Sequence, residues 1–376
     1  MKIVHAVNSL SAGGAEQFVA SLSCAQKLAG HDVTLLCYAG VLDGKGNALR
    51  RSLGKSSINV ITLDLRRNLL KWSVPIWLRA KLDGIRPDVV HSHLEQSDLF
   101  VALALLGRSS IPVHVRTLHN VYASSRIPLP AHKWLAERID CSVACGGVVQ
   151  DAYPYGGSRI CRIDNGVDIV ALDAALQASR DTQCESRQPG RFDLISVGAF
   201  ALRNGVLQKG QDILVDAIAL LRDPRVHVRF LGAGSELDRI VGRSEGLGIH
   251  GQVEFKGHVE NVAPFLTGCE ALVMASRFEG LSIACIEAAC AGIPLILPDI
   301  PAFRQFGGPG TMFFQAESPA ALSDCLKKYV LNSSAVRRAA ATAASSYRNQ
   351  FDIVRVAQRY VSLYEAALAA KAGGGR

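Results

Sequence analysis

Short apolar runs alternate with longer amphipathic stretches from one end of the chain to the other, a pattern that predicts an α/β fold built on parallel sheets. Lys2 to Val7 opens as a strand, and Phe18, Val19, Leu22 and Leu28 carry the helical period that follows. Val33 to Ala39, Val60 to Leu63, Asp88 to His93, Val113 to Asn120, Cys141 to Cys145 and Arg159 to Ile163 continue the series. A second series runs through Phe192 to Val197, Val226 to Leu231, Val253 to Gly257, Ala271 to Ala275 and Leu295 to Leu297. Ile213, Leu214, Ala217, Ile218 and Leu221 form one helix face in it, and Ile353 to Leu368 reads as a strong amphipathic helix. Ala171 to Pro189 is polar and poorly periodic, a short helix and linker between the two series.

One stretch, Ala275 to Pro294, concentrates the chemistry. A polar turn with Ser276, Arg277, Glu279 and Gly280 passes into an apolar helical pattern that stops at Gly292 and Pro294. The pattern predicts a helix from about Gly280, whose first N–H groups carry partial positive charge. Glu279 lies just outside that helix and Glu287 about two turns on. Amides of Gly280, Leu281 and Ser282 suit an anion, while the carboxylates, as pure acceptors, suit vicinal hydroxyls. A phosphate flanked by two diols is a sugar nucleotide. Two solvated acids on a surface helix would give the same spacing.

Composition narrows the field. The chain has 376 residues, 49% hydrophobic and 20% charged, enough to bury sizeable cores. Its ten cysteines form no CxxC pair and no zinc-spaced cluster, which with the absence of a signal peptide points to a reducing compartment. No uncharged run approaches the ~20 apolar residues of a membrane span. Residues 1 to 170 carry 19 Lys and Arg against 13 Asp and Glu, leaving 22 against 20 beyond, so the net charge of +8 is concentrated in the first half. No basic and aromatic interleaving or recognition-helix motif supports nucleic acid as the partner, and an anionic membrane surface or anionic lipid-linked substrate fits better. Residues 66 to 82, RRNLLKWSVPIWLRAKL, read either as a basic, Trp-bearing interfacial segment or as a core-packed helix interrupted near Pro75.

The order of further motifs carries a resemblance. A Gly-Gly loop after the first strand (Gly13, Gly14, with Glu16), histidines at two strand ends (His93, His119), Asn165-Gly-Val-Asp168, Lys209-Gly210 opening a helix, Gly232-Ala-Gly234 and the paired glutamates together resemble the retaining glycosyltransferases of family 4. The resemblance implies a GT-B fold, two Rossmann-like α/β domains with parallel sheets facing across a cleft: residues 1–168 on the acceptor side, 169–350 binding the nucleotide sugar, and 351–376 packing back on the first domain with a frayed tail. It implies transfer of a hexose-type sugar from a nucleoside diphosphate sugar to a glycan or lipid-linked acceptor, as in cell-surface polysaccharide or glycolipid assembly. The protein is then expected in the cytoplasm, peripheral at the inner face of the cell membrane.

By the same resemblance Glu279, Lys209 and His119 are the catalytic candidates. Arg203 stands in for a basic residue usually found two positions after Val197, where this chain has Ala199. Glu287, Gly280, Leu281, Ser282, Gly13, Gly14, Val259 and Ser276 are expected to bind the donor, with Glu16 and His93 on the acceptor side. No cofactor is expected and no metal: His91 and His93 find no third ligand at useful spacing. A GT-B epimerase or hydrolase acting on the sugar nucleotide, and a membrane-associated binding protein without turnover, are the competing readings. The Rossmann dehydrogenase reading lacks its glycine fingerprint.

Overall fold

The computed structural model describes residues 1–10, 13–38, 46–63, 73–108, 111–121, 129–153, 160–182 and 190–373. The chain divides into two compact units, Met1–Gly166 with Asp352–Arg376, and Val167–Phe351. Each is an α/β layer structure around one parallel sheet.

The first sheet comprises β1 (Lys2–Val7), β2 (Asp32–Cys37), β3 (Asn59–Thr62), β4 (Val89–His93), β5 (Val113–Leu118), β6 (Cys141–Ala144) and β7 (Ile160–Arg162), in the order β3-β2-β1-β4-β5-β6-β7. Val4, Ala6, Leu36 and Val90 face a core shared with Leu78 and Leu82 of the helix Ser73–Ile85 and with Phe100 and Val101. Full burial of each such side chain stabilises by about 1.5–3 kcal/mol. Strands buried on both faces explain the near-continuous apolar runs in the sequence. The terminal helix, Ile353–Gly373, belongs to this unit and buries Val356, Tyr360 and Tyr364 in it.

The second sheet is laid down by β8 (Phe192–Val197), then, after a small hairpin of β9 (Leu202–Arg203) and β10 (Val206–Leu207), by β11 (Val226–Leu231), β12 (Val253–Phe255), β13 (Ala271–Val273), β14 (Leu295–Pro298) and β15 (Thr311–Phe314). Its order is β12-β11-β8-β13-β14-β15. The helix Gln211–Leu221 packs Ile213, Leu214, Ala217, Ile218 and Leu221 onto it, together with Leu322, Leu326 and Tyr329 of the helix Pro319–Phe351. That 33-residue helix has no counterpart in the sequence reading. Its polar positions outnumber its buried ones, so the apolar stripe is thin.

The short helix expected between the two series is Ile169–Thr182, with Asp168 accepting from the Ala171 N–H at its start, and the linker residues 183–189 lie outside the described residues. The helix predicted from Gly280 begins at Ile283. Ser282 is its cap: the hydroxyl accepts from the Cys285 N–H at 3.4 Å, and Gly280 and Leu281 belong to the preceding turn. Of the basic segment 66–82, residues 66–72 lie outside the described residues, and Ser73 onward form the helix Ser73–Ile85, with Val74, Leu78 and Leu82 buried. No helix among the described residues is long and apolar enough to cross a membrane.

Candidate functional site

An open parallel sheet binds ligands beyond the carboxyl ends of its strands, where the strand order reverses. In the second sheet the reversal lies between β8 and β13. From those two ends come Gly198, then the Gln208-Lys209-Gly210 corner, and the turn Ser276 to Ser282.

Lys209 and Glu279 meet there. The Lys209 Nζ donates to Glu279 Oε1 at 2.6 Å, and Ser276 Oγ donates to the same oxygen at 2.8 Å. Glu279 is 7% exposed and Lys209 22%, so the pair is shielded yet open on the lysine side. Both bonds use Oε1, and among the described residues Oε2 has no protein hydrogen bond. The lysine stem lies against Gly198, where a Cβ would collide with it. The sequence reading gave Lys209 and Glu279 separate roles; in the folded chain each fixes the other.

A second layer holds this pair in place, and sequence reasoning missed it. Arg277 donates to both oxygens of Asp212, at 3.0 and 2.9 Å, and to the Leu207 carbonyl at 2.7 Å. The Arg277 N–H donates to the Gln208 carbonyl, and the Gln208 side chain donates to the Phe278 carbonyl. Bidentate guanidinium pairing is geometrically demanding, so it ties the corner at 207–212 to the turn at 276–279. The guanidinium beside Asp212 holds its carboxyl below the usual range against the opposing push of burial. Arg203, by contrast, sits on the exposed strand β9 of the hairpin. The only sequence signal for Arg277 was its place in the same turn as Glu279.

Glu287 lies on the helix Ile283–Cys290, one turn beyond its first residue. It is partly exposed, yet burial pushes its carboxyl up to about 7. Gly280, Leu281 and Ser276 are buried in the turn, and Val259 follows β12, partly exposed.

The first sheet reverses between β1 and β4. Gly13 caps the helix Gly14–Leu28 in extended conformation, and the Glu16 carboxylate folds back over it, where a Cβ at Gly13 would strike it. Leu94, just after β4, holds φ at 72°, the left-handed region that favours glycine. Behind these elements lies a buried line of polar rings. His5 on β1 and His91 on β4 are register partners, and His93 follows on the same face. His5 Nδ1 is 3.0 Å from His93 Nε2, and His93 Nδ1 is 3.3 Å from His119 Nε2. His5 Nε2 reaches Gln26 Oε1 at 2.7 Å, and His91 lies between Tyr364 OH at 2.6 Å and Thr117 Oγ1 at 2.7 Å. Burial pushes His5 and His119 down to about 4 and His91 and His93 well below the ordinary histidine range.

His5 is thus the third histidine that the sequence reading did not find beside His91 and His93. It was hidden because it comes from a strand some 86 positions earlier in the chain, where local spacing carries no trace of it. The ring nitrogens of this trio are already engaged with one another, with Gln26, with Tyr364 and with Thr117, so a metal would enter only by breaking those bonds. His93, expected on the acceptor side, is buried between His5 and His119.

Comparison with known proteins agrees with this architecture. Residues 12–170 match the family described as Glycosyltransferase Family 4, and residues 186–346 match Glycosyl transferases group 1. The chain is 24% identical over 398 aligned residues to a glycogen synthase of Mycobacterium tuberculosis, covering 94% of this chain and 91% of that protein. It is 30% identical over 220 residues to a GDP-mannose:cellobiosyl-diphosphopolyprenol alpha-mannosyltransferase of Xanthomonas campestris, covering 56% and 54%. The structure of Anabaena Alr3699/HepE, solved in complex with UDP and glucose, superposes with a TM-score of 0.78 at 17% identity, covering 97% of this chain and 99% of that one. Two parallel-sheet α/β units with such a neighbour fit the GT-B fold. The chain belongs to the glycosyltransferases of family 4.

Proposed function

We propose that this glycosyltransferase moves a hexose-type sugar from a nucleoside diphosphate sugar to a glycan or lipid-linked acceptor, with retention at the anomeric carbon. The observation that carries the reading is the shielded Lys209–Glu279 pair at the reversal point of the second sheet, beside the start of the Glu287 helix. The bond from the anomeric carbon to the diphosphate breaks, the bond to the acceptor oxygen forms on the same face, and the acceptor proton passes to the leaving phosphate. Lys209 faces the negative charge that grows on the diphosphate, where a preorganised cation acts most strongly. Glu279 Oε2 accepts from donor-sugar hydroxyls, and Glu287 from the ribose hydroxyls. HepE, solved in complex with UDP and glucose, supports a nucleotide-sugar donor. The lysine and backbone amides do the work a metal could do, so turnover is expected to persist in chelator.

The direct experiment is a thermal-shift screen of UDP-glucose and GDP-mannose against the free nucleotides, followed by product analysis. A glycosylated product with the donor's anomeric configuration supports the reading. Free sugar and nucleoside diphosphate alone would establish hydrolysis instead.

Two further outcomes follow. A carboxyl raised to about 7 is largely protonated below that pH and accepts hydroxyl protons poorly. Donor affinity by calorimetry is therefore expected to rise about tenfold between about pH 6 and about pH 8, and Glu287→Gln should flatten the profile. The basic segment 66–82 is expected to bring the chain to anionic vesicles with a strength that falls as salt rises. Binding that persists unchanged after neutralising Arg66, Arg67 and Lys71 together would assign the surface elsewhere.

A further inference from the structure

Among the described residues, the histidine line in the first unit ends on an atom with nothing to bond. His119 is 9% exposed, its Nε2 faces His93, and its Nδ1 is buried without a hydrogen-bond partner among the described residues. The ring sits just after β5, beside the reversal point of the first sheet, with the edge of Phe18 against it. Buried polar atoms without partners are rare and call for a physical reason.

We propose that Gln26, His5 and His93 are positioning residues that hold His119 as the Nε2–H tautomer, so that its Nδ1 presents a fixed hydrogen-bond acceptor to a hydroxyl of the bound sugar substrate.

The polarity follows from counting donors. A neutral imidazole has one N–H and one lone pair, so each ring in a line passes the same polarity to the next. If the Gln26 carbonyl oxygen accepts from His5 Nε2–H, then His93 Nε2–H donates to His5 Nδ1 and His119 Nε2–H donates to His93 Nδ1. Only a lone pair is then left over, at His119 Nδ1. The reverse polarity leaves a buried N–H with no acceptor, the rarer and costlier defect. A side branch supports the first choice: with the Gln26 oxygen on His5, its amide nitrogen donates to Tyr364 OH at 3.3 Å, and that hydroxyl donates to His91 Nδ1 at 2.6 Å. His91 Nε2–H then donates to Thr117 Oγ1, so every ring nitrogen in both branches is matched except the one at the sheet edge.

The consequence is selectivity for a donor group. An acceptor fixed at Nδ1 rewards a hydroxyl presented to it and gains nothing from an ether or carbonyl oxygen in the same place. The anchor of this preference, Gln26, is on the helix Gly14–Leu28, on the far side of two other rings from His119. Its side chain bonds His5 and Tyr364, so it reaches His119 through the line.

The experiment has two arms, because the inference rests on the nucleotide-sugar reading above. In the first, long-range proton–nitrogen NMR of the histidine-labelled full chain, with His119→Asn for assignment, is expected to show a bare, pyridine-like Nδ1 and a protonated Nε2 at His119. Gln26→Leu should convert this into a tautomer mixture, while Gln26→Glu, whose buried and protonated carboxyl keeps both bonds, should restore it. In the second, whichever of UDP-glucose and GDP-mannose stabilises the chain serves as probe. Gln26→Leu should weaken it about tenfold relative to the free nucleotide, the scale of one hydrogen bond, and Gln26→Glu should recover it. A protonated Nδ1 in the native chain, a stoichiometric metal copurifying on the histidines, or equal losses for sugar nucleotide and free nucleotide would each overturn the proposal. The expected tautomer in a chain that binds neither sugar nucleotide would sink the functional reading and leave the lock itself standing.

Discussion

Lys209→Ala and Glu279→Ala are each expected to lower turnover on the order of 100-fold, the loss that follows removal of one preorganised transition-state contact. Lys209 loses its cation facing the departing diphosphate. Glu279 loses both its hydroxyl-binding oxygen and the partner that fixes the lysine at 2.6 Å. Because one ion pair serves both functions, the effects should not add: the double variant is expected to fall little below the worse single variant. A sum of the two losses would mean that the residues work independently.

Stability is the confounding term, since removing the lysine leaves a shielded carboxylate without its counter-charge, a change that is destabilising in itself. Lys209→Met separates the effects. It keeps the stem that packs against Gly198 while removing the charge. Turnover should remain low in Lys209→Met at a melting temperature close to that of Lys209→Ala or higher. Near-normal turnover in a folded Lys209→Met chain would remove the lysine from the chemistry altogether.

How legible this site was in the sequence varied with the range of the contacts that build it. Glu279, Ser276 and Ser282 sit within one turn, and a polar cluster before an apolar helix announced them locally. The helix start was misplaced because Gly280 and Leu281 fit either a turn or a first helical turn, and only the Ser282 hydroxyl on the Cys285 N–H decides between them. The parallel strands were legible for a different reason: burial on both faces makes them continuous apolar runs that short windows detect. The long helix Pro319–Phe351 was not, since its thin apolar stripe gives a weak helical period. Least legible was everything assembled across the sheets. Asp212 and Arg277 are 65 positions apart, and His5 and His93 are 88 apart. Polar residues inside buried strands were the available hint: His5 interrupts the apolar run of β1, and β4 turns from Val89 and Val90 to His91, Ser92 and His93 while staying buried.

Gly210→Ala is expected to be among the most damaging single substitutions in the second unit. Gly210 holds φ at +62° immediately before the helix Gln211–Leu221, and its carbonyl accepts the Leu214 N–H of that helix. Two penalties combine there. An alanine must adopt the left-handed region, and its Cβ would occupy the space of the Ala275 carbonyl, a backbone group two residues past β13 that has no rotamer to yield. Together these are expected to cost about 3 kcal/mol. The chain can relieve the clash only by moving the Lys209 corner away from the Ser276 turn. That motion breaks the Arg277 to Gln208 bond and lengthens the 2.6 Å contact between Lys209 and Glu279. Turnover should therefore fall along with the melting temperature, and fall further than folded fraction alone predicts. Gly205→Ala provides the comparison, since Gly205 also has positive φ, at +77°, but a Cβ there meets open space. It should carry only the conformational part of the cost, on the order of 1–2 kcal/mol, with turnover per folded molecule preserved. Equal losses of stability in the two variants would mean that the contact with Ala275 is dispensable, and that the corner is set by backbone preference alone.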